Sequence, residues 1–370
     1  MSRVLDRILS HDAPRSRWLA LVLLVVLVAL AVAPFAFPGS KALGVAAKML
    51  VFILLAASYD LLLGYTGIVS FAHTMFFGIG AYGVAIASTR LGAGTGALLA
   101  GVAGALAVSL VLSLAIGLLS LRVKAMFFAM ITLAVAAAFQ TLASQLSEFT
   151  GGEDGLSFKV PAALGPSFEP FDHPVLGLDI DGKVIAYYLL FGVVLVLFLA
   201  LLRVVNSPFG RVLQAIRENA FRAEAIGLRT VAYRTVGNVL AALFACVAGA
   251  LLALWLRYTG PDTTLSFEIM LDVLLIVVIG GMGTMYGAVV GTVAFLLAQN
   301  YLQALLQLAN AQAARVDGLP WLAAIVSPDR WLLWLGVLFV LSVYHFPTGV
   351  VGRLRALAAR LATTTTTTRP

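Results

Sequence analysis

The sequence predicts an all-α polytopic membrane protein of about ten transmembrane helices, with two glycine-broken segments and an amphipathic helix held outside the membrane. Three observations carry that expectation. Of the 370 residues, 61% are hydrophobic and only 11% charged, where a soluble domain carries about 25% charged residues. The apolar residues form runs near the ~20 residues that cross about 30 Å of hydrocarbon. The lysines and arginines cluster in short segments between those runs, as topology signals do. Backbone groups in lipid must be satisfied internally, so the runs are expected to be helices. A membrane β-barrel would instead alternate over segments of about 10 residues, and these runs do not alternate.

The first run, 18–37, follows MSRVLDRILSHDAPRSRW. That start resembles a signal-peptide n-region, but the run is long enough to span and no A-x-A cleavage site follows, so a retained span is expected. Further spans are expected at 43–63, 66–88, 96–120, 125–146, 184–205, 235–256, 268–282, 285–308 and 331–346. With the N-terminus inside, sixteen of the 24 lysines and arginines fall in cytoplasmic segments. Acids such as Glu148, Glu153, Asp154, Asp262 and Asp329 collect outside, and a ten-span count satisfies the positive-inside rule at every loop. The chain then divides into a cytoplasmic N-terminal segment, 1–17, a membrane domain, 18–346, and a cytoplasmic tail, 347–370. The membrane domain carries a cytoplasmic loop, 206–234, and an outer loop, 147–183. The tail end ATTTTTTRP is low-complexity, and disorder is expected there. Lys48, near the outer end of its span, is expected to snorkel.

Residues 203–234 form a polar island with six arginines and two acids, Glu218 and Glu224. Ser207-Pro208 reads as an N-cap followed by proline at the first helical position. Gly227 is expected to end that first helix. Val212, Ile216, Phe221, Ala225 and Ile226 fall roughly on one helical stripe. An amphipathic helix fixed between two spans implies that something outside the membrane holds it.

The motifs of chemistry are absent from the sequence. It has no HExxH, no GxSxG and no GxxxxGK[ST] loop, its four histidines are scattered, and its single cysteine, Cys246, lies in an apolar run. No enzyme activity, metal or cofactor is therefore expected, and no ATP bound by a P-loop of its own. The net charge of +7 sits in loops rather than in a groove with interleaved aromatics, so nucleic acid is not an expected partner. Two segments combine glycine with polar residues. In 64–83 stand Gly64, Gly67, Gly78, Gly80 and Gly83 with Thr66, Ser70, His73 and Thr74. Such residues either pack helices closely or break them to line a path, and a pathway-lining broken helix is the reading favoured here. His73 either faces that path or makes one internal hydrogen bond. In 279–291, Gly280-Gly281 would interrupt the eighth span, and Gly283, Gly287 and Gly291 recur every four residues as a small-residue face. Paired broken segments are the usual pointer to a transporter's central site. Asp60 and Asp272 lie inside apolar runs, where a carboxylate is a functional hypothesis by default. The alternative is an ordinary acid near an interface or a hydroxyl. The glycine-rich acidic turn SEFTGGEDG, 147–155, either contacts a ligand or delivering protein or is a solvated loop.

YDLLLGYTGIVSFAHTMFFGIGAY (59–82), FFAMITLA (127–134) with TGGEDGL (150–156), SPFGRVLQAIRENAFRAEAIGL (207–228), SFEIMLDVLLIVVIGGMGTMYGAVVG (266–291) and FPTGVVGRL (346–354) occur in one order. In this the chain resembles the membrane permease subunits of the high-affinity branched-chain amino-acid ABC importer family. The resemblance implies a bacterial inner-membrane permease without its own ATPase. Its implied partners are a related sister permease, two cytoplasmic ATP-binding subunits that would bind the ATP, a periplasmic substrate-binding protein and the surrounding lipid. It also implies that the island is the loop that docks in a groove of the ATPase. Glu224, Ala225 and Gly227 match the family's EAA-like signature, with Arg211, Arg217, Glu218 and Arg222 beside them. The translocation pathway would fall on Asp60, Gly64, Gly67, Ser70, His73, Thr74, Gly78, Gly80, Asp272, Gly280, Gly281 and Gly283. Position 60 is usually amide-like and position 272 usually apolar in the family, so the two aspartates put the substrate in doubt. Urea or short-chain amides are the alternative cargo. A secondary carrier using Asp60 and Asp272 is a further alternative.

Overall fold

The computed structural model describes residues 17–36, 40–120, 125–165, 168, 181–313, 327–346 and 348–354. The N-terminal segment before Arg17, the basic pair Arg122 and Lys124, much of the outer loop, and the tail beyond Leu354 lie outside the described residues. The long helices are α1 (Arg17–Ala36), α2 (Ser40–Asp60), α3 (His73–Leu91), α4 (Thr95–Ser120), α5 (Ala125–Gln145) and α6 (Gly182–Asn206). Two short helices, α7 (Pro208–Glu218) and α8 (Ala220–Ala225), form the island. Then come α9 (Thr230–Leu256), α10 (Phe267–Gly280), α11 (Met285–Ala313) and α12 (Trp331–His345). Nine helical stretches among the described residues are long and apolar enough to cross a membrane. The remaining expected span is α3, whose glycines and polar side chains dilute its apolar character, yet most of its residues are buried.

The bundle is organised around α2 and α9, whose residues are mostly buried, whereas α1, α5 and α12 turn long apolar side chains outward. Leu24, Met126 and Val340 are among these exposed groups, as expected where the surroundings are lipid rather than water. The closest packing is between α3 and α9. A Cβ on Gly80 would lie 1.8 Å from the Cys246 carbonyl oxygen, and one on Gly249 would lie 1.7 Å from the Phe77 carbonyl oxygen. The two helices thus meet backbone to backbone, each offering its glycine to the other's carbonyl. Gly78, Gly80 and Gly83 therefore sit in an unbroken helix and serve close packing there; the break in this segment comes earlier, at 67–72.

Polar contacts inside the bundle follow local backbone need. Pro34 in α1 supplies no N–H to the Leu30 carbonyl, and Tyr187 of α6 donates its hydroxyl there at 2.6 Å. Tyr188 does the same for Ala31 at 2.8 Å. Asn238 of α9 donates to the Ser113 carbonyl of α4 at 2.9 Å. Lys48 does not snorkel: its Nζ lies over the Phe52 ring and donates to Gln299 at 3.4 Å.

On the face opposite the island, the described part of the acidic loop is ordered. Leu156–Ser157 (β1) pairs antiparallel with Tyr258–Thr259 (β2). Tyr258 donates its hydroxyl to the Asp154 carbonyl at 3.0 Å, and Arg90 donates to the Glu148 carbonyl at 2.9 Å while covering the Phe149 ring.

Candidate functional site

The island folds as two helices, which corrects the single stripe expected from the sequence. Ser207 caps α7 by accepting the Gly210 N–H, with Pro208 at the first position. The helix then stops at Glu218 because Asn219 takes an extended backbone and uses its Oδ1 to accept the Arg222 N–H at 2.9 Å, capping α8. Gly227 ends α8, not α7. It adopts φ +89°, its N–H reaches the Glu224 carbonyl, and the Leu228 N–H reaches the Ala223 carbonyl, as in a Schellman ending. Glu224 also accepts the Thr230 hydroxyl at 2.5 Å, tying this turn to the start of α9. The apolar residues divide accordingly. Leu213 and Ile216 of α7 are buried, Leu213 within the core of the bundle, while Phe221 is 81% and Ile226 78% exposed. Arg211, Arg222 and Ala225 are exposed beside them.

The membrane segment facing α7 is irregular. Helix α2 continues beyond Asp60 into a π-helical turn, Leu61–Thr66, which ends at Gly67 in the left-handed conformation, φ +72°. π-turns are rare and occur mostly at functional positions. The non-helical stretch that follows is held by α5, where Thr132 accepts the Phe71 N–H at 3.1 Å. The second irregular segment lies between α10 and α11, with Gly281 at φ +116° and Gly283 at φ +79°. Its hairpin closes at Gly280, where a Cβ would lie 2.0 Å from the Gly287 carbonyl oxygen, and at Gly291, 2.2 Å from that of Ile276. The tight face is thus Gly280, Gly287 and Gly291; Gly283 belongs to the turn instead.

These two segments meet. The Gly283 N–H donates to Asp60 Oδ1 at 2.8 Å across the bundle. Arg217 of α7 donates its Nη1 to the Gly64 carbonyl, and its stem packs on Gly67, where a Cβ would lie 3.0 Å from Arg217 Cγ. A Cβ on Gly283 would lie 2.9 Å from Arg217 Nη1. Gly64, Gln214, Arg217, Glu218 and Gly283 line a cavity of about 420 Å³ at this junction. One arginine from outside the spans therefore holds the first glycine break and shares a cavity with the second, and one buried aspartate joins the two.

The other sequence-selected residues lie elsewhere. His73 is buried against Ser58 of α2, with Nε2 2.9 Å from the Ser58 hydroxyl. The same hydroxyl lies 2.8 Å from the Leu55 carbonyl. The His73–Ser58 contact is the internal hydrogen bond that stood as one of the two alternatives for His73. Ser70 and Thr74 are buried nearby. Asp272 accepts from Gln299 at 3.2 Å, and Gln299 in turn accepts from Lys48. The two aspartates do not share a site: eight residues of α10, about 12 Å of rise, separate Asp272 from Gly280 alone. Sequence reasoning missed Gly349, where a Cβ would lie 2.2 Å from Gly281 Cα, and Gly249; neither carried a local signal. Gln299, a polar residue inside an apolar run, is a signal that was there to be used.

Fold and junction together define a polytopic helical membrane protein in which two broken segments are joined to a helix pair outside the bundle. The chain belongs to the branched-chain amino acid transport system permease component family, whose sequence model it matches over residues 41–343. It is 27% identical over 293 residues to the high-affinity branched-chain amino acid transport system permease protein LivM of Escherichia coli (strain K12), covering 75% of this chain and 68% of that one. The Salmonella typhimurium LivM is 28% identical over 295 residues, with the same coverage. A probable branched-chain amino acid transport permease protein LivM of Methanocaldococcus jannaschii is 26% identical over 172 residues, 46% of this chain and 47% of its own. No solved structure matches the chain.

Proposed function

We propose that this chain is the permease subunit of an ATP-binding-cassette importer that moves branched-chain or related amino acids across the inner membrane. Separate ATPase subunits dock on 206–234 and supply the energy. The carrying observation is the two-sided character of the island: Leu213 anchors it to the bundle core, while Phe221 and Ile226 stay bare. Bare aromatic and aliphatic groups on a short helix are the anchors a groove receives. The excess of arginine supports a cytoplasmic place for this face, with both termini on the same side. A sister permease, two ATP-binding subunits and a soluble binding protein complete the system. The names of the relatives favour branched-chain amino acids over urea or short amides. No observation favours a secondary carrier, since Asp60 and Asp272 belong to separate networks.

The test is reconstitution with those partners in proteoliposomes, reading uptake of radiolabelled leucine with and without ATP. Uptake is expected only with ATP and all partners; uptake driven by a proton gradient alone would overturn the proposal. Burying a large apolar side chain contributes about 1.5–3 kcal/mol. Phe221→Ala with Ile226→Asp is therefore expected to weaken ATPase association by at least about tenfold, measured by co-purification, without changing the melting temperature of the permease.

A further inference from the structure

Resting on the reading that the island receives force from the ATPases, we propose that Arg217 and Asp60 form the joint that passes it into the membrane, so that both glycine breaks switch as one unit. The geometry is a chain of contacts that starts at α7. Arg217 leaves α7 and donates to the Gly64 carbonyl. Gly64 lies one turn beyond Asp60 in the same π-distorted segment. Asp60 accepts the Gly283 N–H, and Gly283 lines the same cavity as Arg217, whose Nη1 lies 2.9 Å from where a Gly283 Cβ would stand. Three elements far apart in sequence thus meet through four residues. A hydrogen bond with one charged partner is roughly twice as strong as a neutral one, and the link from the Arg217 guanidinium to Gly64 is of that kind. The segments they grip are the ones able to move: a π-turn ending in a left-handed glycine, and a hairpin turn with two glycines at positive φ. The remaining support of α7, through buried Leu213 and Ile216, touches neither break by hydrogen bond. A rotation of α7 pulls on Gly64 directly, and Asp60 carries that pull across to Gly283. Arg217 and Asp60 are positioning residues: they hold backbone, and no role at the substrate is assigned to them.

The experiment uses the full permease with its partner subunits in proteoliposomes, with leucine as the probe. Arg217→Gln and Asp60→Leu are each expected to lower ATP-driven uptake about tenfold or more, the cost of leaving a buried hydrogen-bond partner unsatisfied. ATP hydrolysis and co-purification of the ATPase subunits should stay near wild type. Asp60→Asn, whose amide oxygen still accepts the Gly283 N–H, is expected to retain uptake. A fluorophore at Met282→Cys, beside the second break and 45% exposed, should report an ATP-dependent change that Arg217→Gln abolishes. Parallel loss of hydrolysis, assembly and melting temperature in the variants would make these contacts structural only and overturn the joint. Undiminished uptake in both Arg217→Gln and Asp60→Leu would overturn it too, leaving the proposed function intact. Failure of the wild-type complex to import with ATP would overturn the proposed function itself, and the joint with it.

Discussion

Gly249→Val is expected to leave almost no folded permease in the membrane. A Cβ at this position would stand 1.7 Å from the Phe77 carbonyl oxygen and 3.1 Å from the Phe77 Cα. The obstacle is backbone on a central helix, so no rotamer change relieves it, and α3 and α9 must separate. Overpacking a core costs typically 1–3 kcal/mol, and a clash with main chain belongs at or above about 3 kcal/mol on that scale. Separation also undoes the reciprocal contact of Gly80 with the Cys246 carbonyl. Because lipid is as apolar as leucine, helix association in a membrane rests on such van der Waals contact, and a gap of about 1 Å forfeits a quarter to a half of each contact's attraction. Yield in detergent extracts and the melting temperature measured by fluorescence-detected size exclusion check this. Gly104→Val, where a Cβ meets nothing within 4 Å, is the control and should behave as wild type. Normal yield of Gly249→Val would show that the two helices tolerate a wider spacing.

How much of this was legible follows from the range of each interaction. Nine spans could be read from composition because an apolar run of sufficient length is a local property. The tenth, α3, could be read only from its glycines and polar residues, and its start was placed too early because the non-helical stretch 67–72 has no proline or charge to mark it. The island's two ends were legible from Ser207-Pro208 and Gly227, but its middle was not. Asn219 looks like a tolerable helix residue until its side chain is seen to cap the next helix. That one cap turns Phe221 and Ile226 away from Leu213 and Ile216. Asp60 stood out as an acid in an apolar run, and Gly283 as one of several glycines. Their partnership spans 223 residues, and no period or spacing carries information across such a distance. The same holds for Arg217, which composition placed in a group of six and geometry singles out.

Gly64→Ala tests that long-range partnership with one methyl group. The new Cβ would stand 2.0 Å from Asp60 Oδ1 and 2.3 Å from the Gly283 nitrogen. Asp60 can rotate out of the way, but Gly283 cannot retreat cheaply: its hairpin is fixed on one side by Gly280 against Gly287 and on the other by Gly291 against Ile276. The methyl therefore takes the place through which the Gly283 N–H reaches Asp60, and it tilts the Gly64 carbonyl that Arg217 holds. Loss of a hydrogen bond to a charged group costs about 1.5–3 kcal/mol, which predicts a fall in leucine uptake of about 10- to 100-fold. Stability should suffer less than in Gly249→Val, because the junction borders an open cavity into which side chains can relax. Gly44→Ala, on the same helix with nothing within 4 Å of its Cβ, should import normally. The contrast between the two alanines isolates the junction from any general effect of shortening the chain's freedom in α2. Wild-type uptake by Gly64→Ala would mean that the two breaks need not stay in contact for transport, and that the force received by α7 travels through Leu213 and Ile216 into α9 instead.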